Sequence, residues 1–373
     1  MLHKSHKLPA LLLSGAMLLS LNSCGLMEMR DSYVETEEAE ETTGQMLAPA
    51  QRVNQVIERP VEEENPETPE MKECTVVLSG DVLVDTGILK DAADGAYDGQ
   101  SYSFLTMYTG IYGNISTADT AMMSYSTADR LADRGEQAPP VESLAALSDL
   151  GADILDTTGC KNVESTLAKH GILDINGTDG GIETVEKNGV ILAFTAISAE
   201  NALDDSVLEE VQYAALVSDA AIVSVTWGEN TTADEMNGTV WALAAAGADV
   251  IVGKGDGLGA VEWLDTGDGS KTLTAYSLGN ILSSSSKTAD LLGGILKFTV
   301  KPGNSGAVIE DVVLEPTFTH YTAEYRDYQV FRAANYSDEL AAEHSNSGVY
   351  TSVLEDIVRG TVPEEFLPAA LRG

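Results

Sequence analysis

Apolar runs and amphipathic segments alternate through the middle of the chain. Residues 221–228 form a short apolar run that ends in glycine, residues 239–247 follow with helical spacing, and residues 248–253 form a second apolar run. A third apolar run covers residues 273–280. Strand, helix and strand in this order are typical of an α/β crossover, whose ligands bind beyond the carboxyl ends of the strands. The pattern therefore predicts an α/β fold with a site at those ends.

The same alternation continues on both sides of this stretch. It predicts strands at residues 75–83, 190–196, 294–300 and 308–314, and helices at residues 144–150, 163–170 and 203–218. A Pro-Gly-Asn-Ser-Gly turn separates the last two strands, so we expect them to form an antiparallel pair. Residues 321–373 carry a weaker pattern that predicts a partly helical cap, with a helical stretch within residues 341–357.

The first 24 residues have the pattern of a bacterial lipoprotein signal. Lys4 and Lys7 precede an apolar stretch at residues 11–21, and Leu-Asn-Ser-Cys at residues 21–24 resembles a lipobox. Cleavage before Cys24 and diacylation of its thiol would anchor the protein to the outer face of the cell membrane. An ordinary cleaved signal with an incidental cysteine is the alternative. We predict a signal peptide at residues 1–23, lipidation of Cys24 and a lipid-anchored, extracytoplasmic location.

Residues 24–73 have the composition of a linker. They contain acidic runs at residues 35–41 and 62–67, with prolines at positions 49, 60, 66 and 69. A segment of low hydrophobicity and like charge cannot bury enough apolar surface to offset the entropy lost on ordering. We therefore expect a disordered acidic linker between the lipidated Cys24 and the globular part.

The charge balance narrows the range of partners. The formal net charge is −38 over 373 residues. Such a charge argues against nucleic acid as a partner, because its phosphates would be repelled. It equally disfavours direct contact with an anionic polymer or lipid surface, although a contact bridged by cations stays open. Solubility outside the cell is the simplest interpretation of the charge.

Three motifs connect the chain to a known family. Val-Ser and Trp-Gly occur at residues 223–228, Ala-Gly-Ala-Asp-Val-Ile-Val-Gly at residues 246–253, and Tyr-Ser-Leu-Gly-Asn at residues 276–280. They resemble the CapA family of poly-γ-glutamate capsule synthesis proteins, which has a calcineurin-like metallophosphoesterase fold. The resemblance implies a metallophosphoesterase-like layered α/β sandwich over residues 74–316, with residues 317–373 as an extension packed on it. It places these family-matched scaffold residues near the site: Trp227, Gly228, Ser277, Gly279 and Asn280.

The family's histidines are absent from the matched motifs. Thr226 stands at the first histidine position, and Lys254, Gly255 and Gly257 stand at the later ones. Asp81, at the end of the strand at residues 75–83, keeps a ligand position of the family. Two-metal hydrolysis needs a set of aspartate, histidine and asparagine ligands around two ions. The resemblance therefore implies that the catalytic centre has been lost, and we predict no catalytic residue. Lys254 would place a cation where the ions belong.

Acidic side chains offer a second interpretation of the site. Asp81, Asp156, Glu229 and Asp256 all fall at or just after predicted strand ends, which we expect at one edge of a single sheet. Carboxylates of Asp81, Glu229 and Asp256 could together hold one Ca²⁺ or Mg²⁺. Solvated loop acids in a very acidic protein are the favoured alternative, in which case the protein needs no cofactor.

Other candidate residues favour structural roles. Cys74 and Cys160 are predicted to lie too far apart for a disulfide. The serine run at residues 283–286 has no base nearby in sequence and is typical of a loop rather than a nucleophile. Trp227 and Trp241 are predicted to pack in the core.

Taken with the resemblance, these patterns predict a membrane-anchored accessory or binding protein that is not catalytic. Its expected role is the synthesis or export of capsule, poly-γ-glutamate or another cell-envelope polymer, with the polymer or capsule-synthesis proteins as partners. Two alternatives stay open. One is an active metal-dependent hydrolase or transferase that uses Asp81, Glu229 and Asp256. The other is a solute- or peptide-binding lipoprotein, which predicts a closed and partly apolar cleft.

Overall fold

The computed structural model describes residues 73–97, 99–127, 139–177, 180–267, 269–303 and 306–373. The predicted signal peptide, the lipidated Cys24 and nearly all of the predicted acidic linker therefore lie outside the described residues.

The first sheet combines a parallel half with an antiparallel half. Its strand order is β14-β13-β12-β1-β2-β3-β4, and β11 pairs with β1. Strands β1 to β4 and β11 run parallel, whereas β12, β13 and β14 are antiparallel. The antiparallel pairing of β12 with β13 confirms the pair predicted from the sequence. The strand bounds are β1 (Cys74–Val84), β2 (Thr120–Thr127), β3 (Ile154–Asp156), β4 (Leu173–Ile175), β11 (Asn280–Leu282), β12 (Leu292–Gly303), β13 (Gly306–Thr322) and β14 (Arg326–Arg332).

The second sheet contains the crossover predicted from the apolar runs. Its order is β5-β6-β7-β8-β10-β9, and β6, β7, β8 and β10 are parallel. The strand bounds are β5 (Ile182–Lys187), β6 (Val190–Ser198), β7 (Ala220–Thr226), β8 (Val250–Lys254), β9 (Val261–Asp265) and β10 (Lys271–Ala275). Continuous apolar runs suit these strands, because parallel strands are covered on both faces.

Helices connect the parallel strands and cap the carboxyl-terminal part. The crossover helix α6 begins with a capping box, in which the Thr232 side chain and the Glu235 side chain satisfy each other's backbone amides. The helix α3 ends where Gly151 adopts a left-handed conformation, with φ of 109°. The helix bounds are α1 (Thr86–Asp94), α2 (Tyr112–Ser116), α3 (Val141–Leu150), α4 (Glu164–His170), α5 (Asp205–Val217), α6 (Ala233–Ala245), α7 (Asp338–Glu343) and α8 (Thr351–Thr361).

One hydrophobic core joins the two sheets. Val76 and Phe298 from the first sheet belong to the same buried cluster as Phe194, Ile222 and Val250 from the second. Each fully buried side chain of this size contributes about 1.5–3 kcal/mol. The protein is thus a layered α/β structure, as predicted, and its strands divide into two sheets.

Aspartates fasten the amino ends of neighbouring strands in both sheets. Asp249 donates its backbone N–H to Ala221 O at 2.9 Å, and its Oδ2 accepts from Ala221 N at 2.8 Å. Asp119, Asp153 and Asp219 form the same two-bond ring with a residue near the start of the adjacent strand. We call these rings the aspartate clasps. Each clasp links two neighbouring strands at their amino ends, which lie opposite to the predicted site.

The carboxyl-terminal part is continuous with the first sheet. β13 passes through the predicted boundary at residue 316, and β14 extends the sheet beyond it. Leu354, Val358 and Phe366 then pack into the same core as β1. Residues 317–373 therefore include the end of β13 and all of β14 as well as the predicted partly helical cap.

Two buried histidines lie where β13 meets this cap. The His320 and His344 rings are 5.4 Å apart, and both are buried. His320 Nδ1 is 2.8 Å from Tyr336 Oη, and His344 Nδ1 accepts from Asn346 N at 2.9 Å. Burial, together with the charge of His320, lowers the pKa of His344 to about 4. Burial also lowers the pKa of His320, so both shifts favour neutral rings at pH 7.

Candidate functional site

A buried ion pair lies at the carboxyl ends of β1 and β8. Lys254 Nζ lies 3.5 Å from Asp81 Oδ1 and donates a hydrogen bond to Tyr125 O at 3.0 Å. Lys254 is 8% exposed and Asp81 is 7% exposed. Because Asp81 belongs to the first sheet and Lys254 to the second, the ion pair joins the two sheets.

Asp156 forms a second connection between the sheets. It ends β3 and is fully buried. Its Oδ2 accepts a 2.5 Å hydrogen bond from Ser224 Oγ in β7, while its Oδ1 accepts from Thr158 N at 2.9 Å and from Thr158 Oγ1 at 2.6 Å. Both carboxylate oxygens of Asp156 are thus already engaged by donors from the protein.

The electrostatics of this region favour a charged lysine. Burial by itself lowers the pKa of Lys254, but the carboxylates of Asp81 and Asp156 outweigh it and raise this pKa above its ordinary value. Burial raises the pKa of the Asp81 carboxyl, and the Lys254 ammonium opposes that rise. The result is a buried cation that pairs with Asp81 and is further favoured by the charge of Asp156.

The residues present do not fit the two-metal centre that the resemblance implies. The Lys254 ammonium lies against Asp81, the residue that the resemblance assigns to a metal-ligand position. The Thr226 hydroxyl and two glycines cannot supply the imidazole ligands that suit zinc, iron or copper. Within the part of the chain that the structure describes, no three His, Cys, Asp or Glu residues are grouped so that they could hold a metal ion.

The three acids predicted to share one ion lie in different surroundings. Asp81 is buried in the ion pair, whereas Glu229 and Asp256 are exposed and line two separate cavities. The expectation of a single sheet edge was wrong, because Asp81 lies in β1 of the first sheet, whereas Glu229 and Asp256 follow strands of the second. Sequence order along parallel strands does not reveal that the strands divide into two sheets.

Trp227 of the first motif packs against Gly253 and the Tyr276 carbonyl. Trp227 Nε1 donates to Tyr276 O at 2.6 Å, and Trp227 is buried as predicted. A β-carbon added at Gly253 would overlap the Tyr276 carbonyl and the Trp227 ring nitrogen. Gly228 N donates to Thr231 Oγ1 at 2.9 Å. Trp227 N also donates to Lys254 O at 3.1 Å, so the tryptophan packs beside the backbone of the ion-pair lysine.

The motif at residues 276–280 contacts the loop after β8. Ser277 Oγ lies 2.7 Å from Gly257 O and 3.0 Å from Gly255 O, and it accepts from Gly279 N at 3.0 Å. Gly279 has φ of 57°, and its carbonyl accepts from Asp81 N at 2.8 Å. The left-handed conformation favours glycine at this position. The motif at residues 276–280 therefore holds its backbone against Asp81.

A polar cavity of about 220 Å³ lies beside this loop. We call it the serine cavity. Its polar wall consists of three aspartates, one asparagine and three consecutive serines: Asp85, Asp256, Asn280, Ser283, Ser284, Ser285 and Asp290. The sequence interpretation treated the serine run as an ordinary loop. The sequence did contain a signal for this cavity, because the serine run lies close in sequence to Gly279 and Asn280 of the motif and to Asp290.

A larger cavity of about 690 Å³ lies at the carboxyl ends of β6 and β7. We call it the glutamate cavity. Glu200, Glu229, Asp234 and Glu235 line it, together with the exposed Leu203. Glu235 is committed to the capping box of α6, and hydrogen bonds from Thr232 lower its pKa. Both cavities therefore present negative charge.

Comparisons with known proteins add little to this description. No family model matches the chain, and no curated protein matches it. One solved structure that resembles the chain is that of a hypothetical protein from Thermus thermophilus, at 13% sequence identity and a TM-score of 0.41. The match covers 65% of this chain and 99% of the other. Likeness at this level carries no argument about function.

Two further sequence expectations concern cysteines and membrane spans. Cys74 and Cys160 are both free thiols, as predicted. Burial raises the pKa of Cys160 to about 11, so its thiol is protonated at neutral pH. Among the described residues, no helix has both the length and the apolar character needed to cross a membrane.

Proposed function

We propose that this protein is a lipid-anchored, extracytoplasmic accessory or binding protein for a cell-envelope polymer, and that it does not act as a metal-dependent phosphoesterase. The observation that supports this most directly is the Lys254 ammonium, which lies buried against Asp81 at 3.5 Å. A divalent cation at the same carboxylate would have to displace or deprotonate that lysine.

Electrostatics makes such a displacement costly. Two like charges repel strongly in a buried site, where the effective dielectric constant is far below that of water. Asp156, the second buried carboxylate, is saturated by Ser224 and Thr158. In this proposal, a lysine side chain stands where the metallophosphoesterases that the motifs resemble would hold metal ions, and the ion pair connects the two sheets instead of activating water.

Two parts of the proposal, the polymer ligand and the membrane anchor, rest on the sequence. The motifs at residues 223–228, 246–253 and 276–280 resemble those of capsule synthesis proteins, and residues 1–24 have a lipoprotein signal pattern. Poly-γ-glutamate itself is anionic, and both cavities are acidic. A polymer bearing positive charge, or one bridged by cations, suits these surfaces better.

The alternative of an active hydrolase requires Asp81, Glu229 and Asp256 to converge on one ion. The structure supports this less well, because Asp81 is buried and the other two line different cavities. The alternative of a solute- or peptide-binding lipoprotein predicts a partly apolar cleft. The glutamate cavity contains Leu203 and Ala199 but also four carboxylates, so it suits an uncharged apolar solute poorly.

Metal content tests the catalytic part of the proposal. The full-length protein is purified, exposed in turn to Mn²⁺, Zn²⁺, Ca²⁺ and Mg²⁺, dialysed, and analysed by inductively coupled plasma mass spectrometry alongside hydrolysis of p-nitrophenyl phosphate. We expect no stoichiometric transition metal and no metal-stimulated hydrolysis. Two transition-metal ions per chain, with hydrolysis that depends on them, would overturn the proposal.

Fractionation tests the anchor. Expressed in a bacterium with a lipoprotein pathway, the full-length protein should follow the membrane fraction, and the Cys24→Ala variant should be released. Cys160→Ala is the matched control, because its thiol lies within the globular part and should leave membrane attachment unchanged. Equal membrane association of all three proteins would contradict lipidation at Cys24.

A further inference from the structure

An exposed tryptophan lies on the outer side of the crossover helix α6. Val240, Leu243 and Ala244 form the buried side of this helix, whereas Trp241 is 47% exposed. An indole is the largest apolar side chain, and leaving it in water forgoes the free energy that burial would contribute. A single exposed apolar side chain is common on protein surfaces, so the groups beside Trp241 decide what its exposure means.

A polar network lies one helical turn before Trp241. Asn237 precedes Trp241 by four residues, so the two side chains are neighbours on one face of α6. Tyr276 Oη lies 2.9 Å from Asn237 Oδ1 and 2.7 Å from Glu262 Oε1, which joins the helix to β9 and to the end of β10. We call Asn237, Trp241, Glu262 and Tyr276 the aromatic platform.

The backbone around Tyr276 holds the platform in one arrangement. Trp227 Nε1 donates to Tyr276 O at 2.6 Å, and Tyr276 N donates to Ala260 O at 2.9 Å. Burial, followed by the hydrogen bond to Glu262, raises the pKa of Tyr276, so its hydroxyl keeps its hydrogen at neutral pH. A surface that is already ordered loses less entropy when a ligand binds to it.

The platform combines an apolar ring with an unused donor and an unused acceptor. Among the described residues, none forms a hydrogen bond with Asn237 Nδ2 or with Glu262 Oε2. The amide nitrogen donates and the carboxylate oxygen accepts. A sugar ring has an edge of hydroxyl groups that both donate and accept, and its C–H bonds suit the electron-rich face of an indole. It therefore matches both parts of the platform.

Charge distinguishes the kinds of sugar polymer. The protein carries a formal net charge of −38, which repels an anionic polymer. A cationic polymer would be attracted more strongly by the two acidic cavities, and no residue of the platform lines either of them. The platform has one carboxylate, and one oxygen of it already pairs with Tyr276. An uncharged sugar unit suits this surface better than a charged one.

We propose that the aromatic platform binds an uncharged sugar unit of an envelope polysaccharide, with the sugar ring stacked on Trp241 and its hydroxyl groups bound by Asn237 and Glu262. This inference rests on the proposed role in binding a cell-envelope polymer, and it names the chemical class of that polymer.

Affinity electrophoresis of the full-length protein tests the proposal, in native gels that each contain one polymer. The uncharged polymers are dextran, mannan and galactan, and the charged ones are poly-γ-glutamate and chitosan. We expect at least one uncharged polysaccharide to retard the wild type. Trp241→Ala should raise the dissociation constant about tenfold, as the loss of a central aromatic contact does, and Trp241→Phe should recover part of the loss.

A second exposed aromatic residue provides the matched control. Tyr350 is 58% exposed and lies in the carboxyl-terminal cap, far along the chain from the platform. Tyr350→Ala should migrate as the wild type does in every gel. Both replaced side chains are exposed, so thermal unfolding of the variants should occur at the wild-type temperature.

Four results would overturn the proposal. They are no retardation by any uncharged polysaccharide, retardation that Trp241→Ala leaves unchanged, equal losses in Trp241→Ala and Tyr350→Ala, and self-association in sedimentation that Trp241→Ala abolishes. The last result would assign the platform to a second copy of the chain. Retardation that does not depend on Trp241 would leave the proposed function standing, whereas no retardation by any of the five polymers would count against polymer binding itself.

Discussion

Replacing Lys254 by methionine tests whether the buried ion pair has the structural role assigned to it. The substitution keeps most of the side-chain volume and removes the charge, so the Asp81 carboxylate loses its partner in a site where it is 7% exposed. Removing one member of a buried pair typically costs about 3–5 kcal/mol. We expect a loss of this size in the free energy of unfolding at pH 8.

The cost should fall as the pH is lowered. Without the ammonium, burial still raises the pKa of Asp81 above its ordinary value, so the folded variant gains stability when this carboxyl is protonated. A group whose folded pKa is raised contributes stability at pH values below its unfolded pKa and loses it as the pH rises. The difference between wild type and Lys254→Met should therefore shrink from pH 8 towards pH 4.

Urea unfolding followed by tryptophan fluorescence and circular dichroism measures these differences. Two variants serve as controls. Asp81→Asn combined with Lys254→Met removes both charges and should recover most of the loss. Lys187→Met removes a partly exposed ion pair, at 3.7 Å from Asp153, and should have little effect. If Lys254→Met unfolds within about 0.5 kcal/mol of wild type at pH 8, the ion pair is not buried as described.

Two further outcomes follow from the core. His344 has a folded pKa of about 4 against an ordinary value of 6.5, so stability is present above pH 6.5 and about 3 kcal/mol of it is lost as the pH falls to 4. Unfolding of a His344→Gln variant should lack most of this loss, and an unchanged pH profile would contradict it. Gly253→Ala should cost about 3 kcal/mol or more in urea unfolding, because the new methyl overlaps the Tyr276 carbonyl. Gly360→Ala, at an open position in α8, should be slightly stabilising in the same assay.

The sequence pattern was sufficient for the α/β class but not for the arrangement of strands. The apolar runs at residues 221–228 and 248–253 became β7 and β8, with α6 between them as the helical spacing indicated. The division into two sheets depends on which strands pair across long sequence separations, and periodicity carries no such information. For that reason the sequence did not show that Asp81 and the acids after β7 and β8 belong to different sheets.

The prediction for Trp241 was also wrong, and its cause is local. Val240, Leu243 and Ala244 form the buried face of α6, whereas Trp241 is 47% exposed. One residue along a helix turns the side chain by about 100°, which is enough to leave the core. A large aromatic residue in a helix is a weaker indicator of burial than its position relative to the apolar stripe.

The role expected for Lys254 came from comparing motif positions, and the structure places its ammonium against Asp81. The serine cavity was beyond sequence reasoning, because it joins residues from β11 and from loops after β1, β8 and β11. Only the fold brings such residues to one wall.

Because of the aspartate clasps, the two ends of the strands have different roles. Asp119, Asp153, Asp219 and Asp249 set the strand alignment at the amino ends, in both sheets. The sequences of the loops at the carboxyl ends can then change without altering the pairing of the strands. A protein engineer could therefore graft a new ligand set onto the loops after β7 and β8, using the clasped ends as a fixed frame.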